Sequence, residues 1–348
     1  MIRVLIVDDS KVVQDFLYHL LSSDSDIQIV GVANSGFEAI ELAKEIEPDV
    51  ITMDIHMQGM DGFEATRNIM KSAPTPIVIV SGSPTIKEEA NIFRSLEAGA
   101  LAVVQRPPGL ENPDFIKSRD ELIHIVKTMS KVKITRLFPQ KRKYQEERFQ
   151  LVKPMDNYLK RIRVIAIGAD IGGPLALQKI LAGLPSELPV PVLIVQHMAA
   201  GFTSAFAEWL SITSGIKIKK AVNGETLSPG IAYVAPDHFH MGISQGDKIE
   251  LIDKSSDIRH KPSINWLFHS VAKVFGPHAF GVLLSGEGHD GVEALKILKE
   301  KGALTVVQNE ESSVVFDLPG EALRVGAADL SLSPDAISEI LSRAGSKK

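Results

Sequence analysis

Short apolar runs recur along the early part of the chain, at positions 2–7, 27–32, 50–53, 77–80 and 101–104. Most are rich in valine and isoleucine and are bounded by polar or turn-forming residues, which predicts five buried β-strands. The stretches between them carry apolar side chains at helical spacing. Val12, Val13, Phe16, Leu17, Leu20 and Leu21 mark the apolar face of an expected first helix, with Ser10 placed to cap it. Strands alternating with helices predict a parallel sheet covered on both faces.

Beyond residue 131 this pattern dissolves. Between 131 and 163, eleven Lys/Arg face three acids. That shift predicts a basic linker over 131–161, between one domain at 1–130 and another at 162–348. The linker is expected to be a solvated connector with helix over 144–151, rather than a strap for nucleic acid, an acidic receptor or a membrane surface. A second set of apolar runs, 164–167, 192–196, 280–284 and 304–307, predicts another parallel sheet. Residues 230–253, GIAYVAPDHFHMGISQGDKIELID, alternate in short runs broken at Gly246 and Asp247. They predict an antiparallel hairpin inserted in that mostly parallel sheet. Ser333, Pro334 and Asp335 open an expected last helix, and residues 345–348 are expected to fray. The fold class is therefore α/β, with two doubly wound units.

Composition sharpens this picture only by exclusion. A length of 348 residues suits two domains, each with its own core. A net charge of −5 gives no pull towards nucleic acid. The absence of cysteine excludes disulfides and thiol nucleophiles and fits a cytoplasmic setting. No apolar run approaches the roughly 18–20 residues that span a bilayer, so membrane insertion is not expected. The first residues lack the apolar region and cleavage site of a signal peptide.

Two groups of residues carry chemistry. Asp8 and Asp9 follow the first expected strand, Asp54 the third, Ser81 ends the fourth, and Arg106 follows the fifth. In a doubly wound sheet these strand ends converge on one crevice. Three carboxylates there repel one another unless a hard cation such as Mg²⁺ joins them. A metal-bound carboxylate can accept a phosphoryl group, with Ser81 offering a hydroxyl and Arg106 a fixed positive charge. The second group centres on RVIAIGADIGGP at 163–174. It reads as strand, glycine turn and helix, a loop that aims its crest residue and nearby N–H groups into the crevice. A hydrolase places serine at that crest; here it is Asp170. QHMAAGFT carries His197, SGEGHDG carries Glu287 and Asp290, HKPSINWLF carries His260 and Ser263, and QNEESSVVFDLPGEA could line the same crevice. His238 and His240 lie two apart on the expected hairpin, hence on one face, and read as ordinary histidines rather than metal ligands.

With VLIVDDS, MDIHMQGMDG, IVIVSG and VVQRPPG in order, residues 1–130 resemble a response-regulator receiver domain, a flavodoxin-like five-stranded parallel sheet. The resemblance implies Asp54 as phosphoacceptor, Asp8, Asp9 and Asp54 as Mg²⁺ ligands, Ser81 as switch hydroxyl, and a chemotaxis histidine kinase as phosphodonor. Arg106 stands where receivers usually carry lysine, and Gln58 where they favour proline. Residues 162–342 resemble the catalytic domain of the chemotaxis protein-glutamate methylesterases, the CheB family. That likeness implies hydrolysis of glutamate methyl esters and deamidation of glutamine on methyl-accepting chemoreceptors. It also implies a Ser–His–Asp triad and no cofactor in this second domain. His197 and Asp290 match the last two members, while Asp170 occupies the serine position beside Ile171 and Gly172. Ile171 replaces a usual threonine, and Glu287 a usual methionine near the oxyanion site.

The chemistry of that exchange favours lost catalysis. Aspartate is ionised at neutral pH but attacks an ester carbonyl poorly, since it would form an anhydride while expelling the more basic methoxide. Two carboxylates flanking His197 should also favour imidazolium and disable it as a base. Three readings follow: a regulatory member whose esterase is weak or lost; a hydrolase in which His197 and Asp290 activate water, or Ser263 acts as a displaced nucleophile; and Asp170 as an alkyl nucleophile or part of a metal site.

Overall fold

The computed structural model describes residues 1–82, 86–134, 158–253 and 261–346, with the side chains of 86–91 left out. Most of the linker over 131–161, its helical stretch 144–151, and His260 lie outside the described residues. The chain forms two compact units, Met1–Phe138 and Pro139–Lys348.

The first unit alternates strand and helix: β1 (Ile2–Val7), α1 (Lys11–Leu21), β2 (Ile27–Ala33), α2 (Gly36–Ile46), β3 (Val50–Met53), α3 (Gly62–Ser72), β4 (Ile77–Ser81), α4 (Ile86–Ala98), β5 (Ala102–Gln105) and α5 (Phe115–Met129). The sheet order is β2-β1-β3-β4-β5, every pair parallel. Val4–Val7, β3 and β4 are buried, as strands covered on both faces must be. Strand order reverses between β1 and β3, which opens the crevice where Asp8 and Asp54 emerge. Helix α1 departs from its expected face. Val12 is 78% exposed and Gln14 is buried instead, because the Gln14 amide donates to the Asp8 carbonyl at 2.7 Å. Ser10 occupies the cap position, but its side chain accepts no bond; its N–H turns to Asp8 Oδ1 at 2.9 Å. Capping side chains do close α2 and α3, where Ser35 and Asp61 accept from Glu38 and Glu64 N–H.

The second unit contains β6 (Val164–Ala169), α6 (Gly173–Ala182), β7 (Val192–Gln196), α7 (Thr203–Thr213), β8 (Lys217–Lys220), β9 (Ile231–Val234), β10 (His240–Ser244), β11 (Lys248–Ile252), α8 (Ile264–Val274), β12 (Ala279–Leu283), α9 (Val292–Glu300), β13 (Leu304–Gln308), α10 (Asp317–Arg324), β14 (Leu330–Leu332) and α11 (Pro334–Leu341). Its seven-stranded sheet runs β14-β13-β12-β6-β7-β9-β8 with every neighbour parallel. The hairpin is present, but it is not inserted in this sheet: β10 and β11 form a separate antiparallel pair. Residues 231–234, read as part of the hairpin, are β9 of the main sheet. The four-residue β8 and three-residue β14 escaped the sequence pattern because edge strands this short carry no distinct period. Gly246 and Asp247 make the hairpin turn with positive φ. His238 precedes β10 in the left-handed region (φ 66°), so it does not share a strand face with His240.

β6 lies at the centre, with the chain winding outwards through β7 on one side and through β12 on the other. Gly168 lets α8 approach it: a Cβ there would lie 2.3 Å from Ile264 Cγ2. Ser333 accepts from Ala336 N–H to cap α11, with Pro334 in its first turn. Gly345 is not frayed, since its N–H donates to the Leu159 carbonyl at 2.8 Å. Among the described residues no helix is long and apolar enough to cross a membrane.

Candidate functional site

Two sites stand at strand C-terminal edges, one in each unit. In the first, Val7 and Met53 are register partners, so the next residues, Asp8 and Asp54, leave the sheet side by side. Asp54 N–H donates to the Val7 carbonyl at 2.9 Å. Carboxylate oxygens of Asp8, Asp9 and Asp54 lie within 4.8 Å of one another. Backbone N–H groups of Ser10, His56 and Gln58 hold Asp8, Asp54 and Asp9 respectively, at 2.9, 3.1 and 3.1 Å. Burial, joined by the charges of Asp54 and Asp9, raises Asp8 to about 6 against the Ser10 N–H and Arg106. Burial also raises Asp54, opposed by the Ile55 and His56 N–H groups and by electrostatic interaction with the His56 and Arg106 side chains. Arg106 is placed by its N–H, which donates to the Ser81 carbonyl at 2.8 Å. Its guanidinium lies so close to Gly82 that a Cβ there would meet Nη2 at 2.1 Å. Ser81 is buried at the end of β4.

Three converging carboxylates, two of them with charge opposed by burial (Asp8 and Asp54), fit a hard divalent cation. This sets the sign of a measurable effect. The folded Asp8 binds its proton more tightly than an ordinary carboxyl (3.8). Its favourable contribution to stability is full below that value and is lost as pH rises through about 6. A cation that binds the ionised set offsets that loss. Millimolar Mg²⁺ is therefore expected to raise the melting temperature of this unit more at pH 7.5 than at pH 5, with EDTA reversing the gain. An equal gain at both pH values would contradict the ionised-cluster reading.

In the second unit, Ala169 and Gln196 are register partners, and Asp170 and His197 follow them. Asp290 comes from the loop after β12. The three side chains meet. His197 Nε2 and Asp290 Oδ2 are 2.9 Å apart, and His197 Nδ1 lies 3.6 Å from Asp170 Oδ1. Asp290 is held further by Ser263 Oγ–H (2.8 Å), Ile264 N–H (2.7 Å) and Asn265 N–H (3.0 Å), the first turn of α8. A carboxylate at a helix N-terminus satisfies donors that the helix itself cannot. Burial works against charge on His197, but the bonds and charges of Asp170 and Asp290 overcome it and raise the imidazole to about 9. Burial likewise opposes ionisation of both carboxylates, yet His197 and the surrounding N–H groups hold them below the ordinary range. The cluster is thus an imidazolium between two carboxylates.

Asp170 also draws in backbone N–H groups from two loops. In strand–turn–helix hydrolases the oxyanion site uses the N–H after the nucleophile and an N–H from a second loop. Here Glu287 N–H donates to Asp170 Oδ2 at 2.8 Å, and Ile171 N–H also favours the ionised Asp170. One carboxylate oxygen faces the histidine while the other occupies the donor pocket. The loop has no slack to release it. Gly172 takes φ 80°, where a Cβ would meet Val314 and Ser285, and a Cβ at Gly286 would lie 2.5 Å from Asp170 Cβ.

Several supporting residues carried no signal in the pattern. Gln196 Nε2 donates to the carbonyls of Asp170 (2.9 Å) and His197 (2.8 Å), tying the two loops together. Ser285 Oγ donates to the Ile171 carbonyl at 2.7 Å and accepts from Val315 N–H, so the QNEESSVVFDLPGEA segment does line the crevice. Ser263 is the cap of α8, buried, accepting from Trp266 N–H while donating to Asp290. It is therefore not placed as a displaced nucleophile. Nor do Asp170, His197 and Asp290 gather donors around one point, because the carboxylates address opposite ring nitrogens. Among the described residues the grouping of at least three ligands suited to a metal is Asp8, Asp9 and Asp54. His240 is buried against Trp266 with ring centroids 5.4 Å apart.

Residues 165–341 match the CheB methylesterase family, and residues 4–112 match the response regulator receiver domain. The chain is 45% identical over 349 residues to a protein-glutamate methylesterase/protein-glutamine glutaminase of Geobacter metallireducens, covering 100% of both. It is 44% identical over 341 residues to one of Nitrosospira multiformis, covering 98% of this chain and 96% of that one. Among solved structures, the CheB methylesterase catalytic domain of Thermotoga maritima aligns with a TM-score of 0.50 and 34% identity, covering 52% of this chain and 97% of that one.

Proposed function

The chain belongs to the CheB methylesterase family and carries a response regulator receiver domain, and from this premise we propose that it is a phosphorylation-controlled regulator of chemoreceptor adaptation whose methylesterase site is blocked by Asp170. The observation that carries the proposal is the double engagement of that carboxylate, with Oδ1 on His197 and Oδ2 on Glu287 N–H. Relatives with this architecture are named for hydrolysis of protein-glutamate methyl esters and of protein-glutamine amides. That chemistry needs a nucleophile deprotonated by histidine and an oxyanion site open to the acyl oxygen. Here the histidine already carries the proton, and the donors already hold a negative oxygen. The chain then acts by occupancy in the cytoplasm, its effector unit competing for receptor sites and its receiver for kinase phosphate.

In the receiver, Asp54 is the proposed phosphoacceptor and a chemotaxis histidine kinase the proposed donor. Asp8, Asp9 and Asp54 would hold Mg²⁺, which when bound supplies charge neutralisation for the incoming phosphoryl group. The Ser81 hydroxyl and the Arg106 guanidinium would respond to the phosphate, Arg106 through a planar fork rather than the point charge of lysine. Incubation with Mg²⁺ and a small phosphodonor is expected to label the chain at Asp54, with Asp54→Asn unlabelled. Equal labelling of both would end the receiver assignment.

A further inference from the structure

Gly82, the residue after Ser81, is a glycine that its own backbone does not require. It lies outside the left-handed region, where glycine is otherwise favoured. What the position lacks is room for a side chain. The three atoms nearest a Cβ there would all belong to Arg106: Nη2 at 2.1 Å, Cζ at 2.4 Å and Nε at 2.8 Å. The guanidinium therefore rests on the Gly82 backbone, in the space that a methyl group would take.

Arg106 is pinned from its other end. Ser81 and Gln105 are register partners across β4 and β5, and the Arg106 N–H donates to the Ser81 carbonyl at 2.8 Å. Pro107 and Pro108 follow, and a residue before proline is biased towards extended backbone. With the backbone fixed in this way, where the planar head settles depends on what stands at position 82.

That resting place bears on the carboxylate crevice. The Arg106 charge acts on both Asp8 and Asp54. Among the described residues, however, no ion pair joins it to Asp8, Asp9 or Asp54. A cation held beside the crevice without being paired there is available to an anion that arrives, and a guanidinium can offer such an anion two parallel N–H donors. Lysine would need no such space, because an ammonium on a methylene stem is compact where a guanidinium is a broad planar fork. Glycine at 82 and arginine at 106 thus fit as a pair.

We propose that Gly82 is a positioning residue for phosphoryl uptake: it seats the Arg106 guanidinium beside Ser81, so that this broader cation meets the phosphate on Asp54 from a fixed place. The proposal rests on the phosphoacceptor reading of Asp54 and adds a residue to it. A methyl group at 82 forces Nη2 back by more than an ångström to reach ordinary contact at 3.4 Å. A displacement of about 1 Å in a group that positions reacting atoms can cost about 10²-fold in rate.

The test is a double-mutant cycle on the full chain. Acetyl phosphate is the phosphodonor, Mg²⁺ is saturating, and the initial rate of phospho-Asp54 formation is read by intact-protein mass. Gly82→Ala is expected to slow labelling by about 10- to 100-fold. In the Arg106→Lys background the same substitution is expected to change the rate by less than about twofold, because lysine leaves the space over residue 82 empty. Gly82 is exposed and its backbone accepts alanine, so Gly82→Ala should melt at the parent's temperature. A merely structural role would lower that temperature and would not depend on the residue at 106. Labelling of Gly82→Ala at the parent rate overturns the assignment, as does an equal slowing in the arginine and lysine backgrounds; the phosphoacceptor reading survives either result. If the parent chain itself takes no label at Asp54, both fall.

Discussion

Asp170→Ser is expected to raise methanol release from methylated receptor by about 10³- to 10⁶-fold over the parent chain. Loss of the nucleophile in a serine triad costs on the order of 10⁶ in rate, or about 8 kcal/mol of barrier. Three consequences of the substitution act together. A hydroxyl replaces a poor acyl nucleophile. The Glu287 N–H, now occupied by Asp170 Oδ2, becomes open to the substrate oxygen. His197, raised to about 9 with Asp170 among the causes, falls towards the range where it can accept a proton at neutral pH. Ile171 and Glu287 decide where in the interval the variant lands, because a carboxylate at position 287 opposes charge on the tetrahedral intermediate. Ile171→Thr and Glu287→Met in the serine background are expected to add to the gain. Parent turnover already equal to that of Asp170→Ser would refute blockage by Asp170.

Asp290→Asn is expected to destabilise the second unit by about 3–5 kcal/mol, lowering its melting temperature by roughly 10 °C, because it removes one partner of a buried charge set. Asp290 accepts from Ser263, Ile264 and Asn265 as well as pairing with His197. The amide can accept fewer of these bonds and offers no counter-charge. The pH dependence separates charge from packing. His197 titrates near 9 in the folded chain against 6.5 ordinarily. Its contribution to stability is therefore full below about 6.5 and is lost as pH rises through about 9. Asp170 and Asp290 are held below 3.8; their contribution is present above that value and is lost as pH falls through their lowered range. Calorimetry across pH 3–10 should show a plateau between these flanks, with the alkaline flank moved to lower pH in Asp290→Asn. NMR titration should follow the His197 ring directly. An imidazole titrating below 6.5 in the parent chain would mean that the carboxylates do not hold it.

Fully buried parallel strands are the part of the fold that sequence shows best. Their apolar runs are continuous, so β1, β3 and β7 fall where the pattern puts them, and the other long strands differ by one or two residues. Edge elements were harder to see. β8 is KIKK, whose lysines hide a strand paired on one side only, and β9 carries the same kind of short alternation as the hairpin that follows it. Its assignment to the main sheet depends on pairing with Val192, Leu193 and Ile194, partners some forty residues away. Ser10 shows the same dependence on context: it has the right residue type for a cap, yet Asp8 redirects its backbone.

The chemical inventory of both sites was written in the chain. Residue types at strand ends are local facts, and parallel topology forces strand ends together. Asp8, Asp9 and Asp54, and Asp170, His197 and Asp290, could therefore be grouped without coordinates. Tertiary structure alone decided how each group is used. It set two carboxylates on opposite nitrogens of one ring, placed Asp170 Oδ2 on the Glu287 N–H, and made Ser263 a cap rather than a nucleophile. These outcomes depend on directions and distances of a few ångströms between segments far apart in the chain. Hydrogen bonding and ionisation depend steeply on such distances, and no periodicity of residues encodes them.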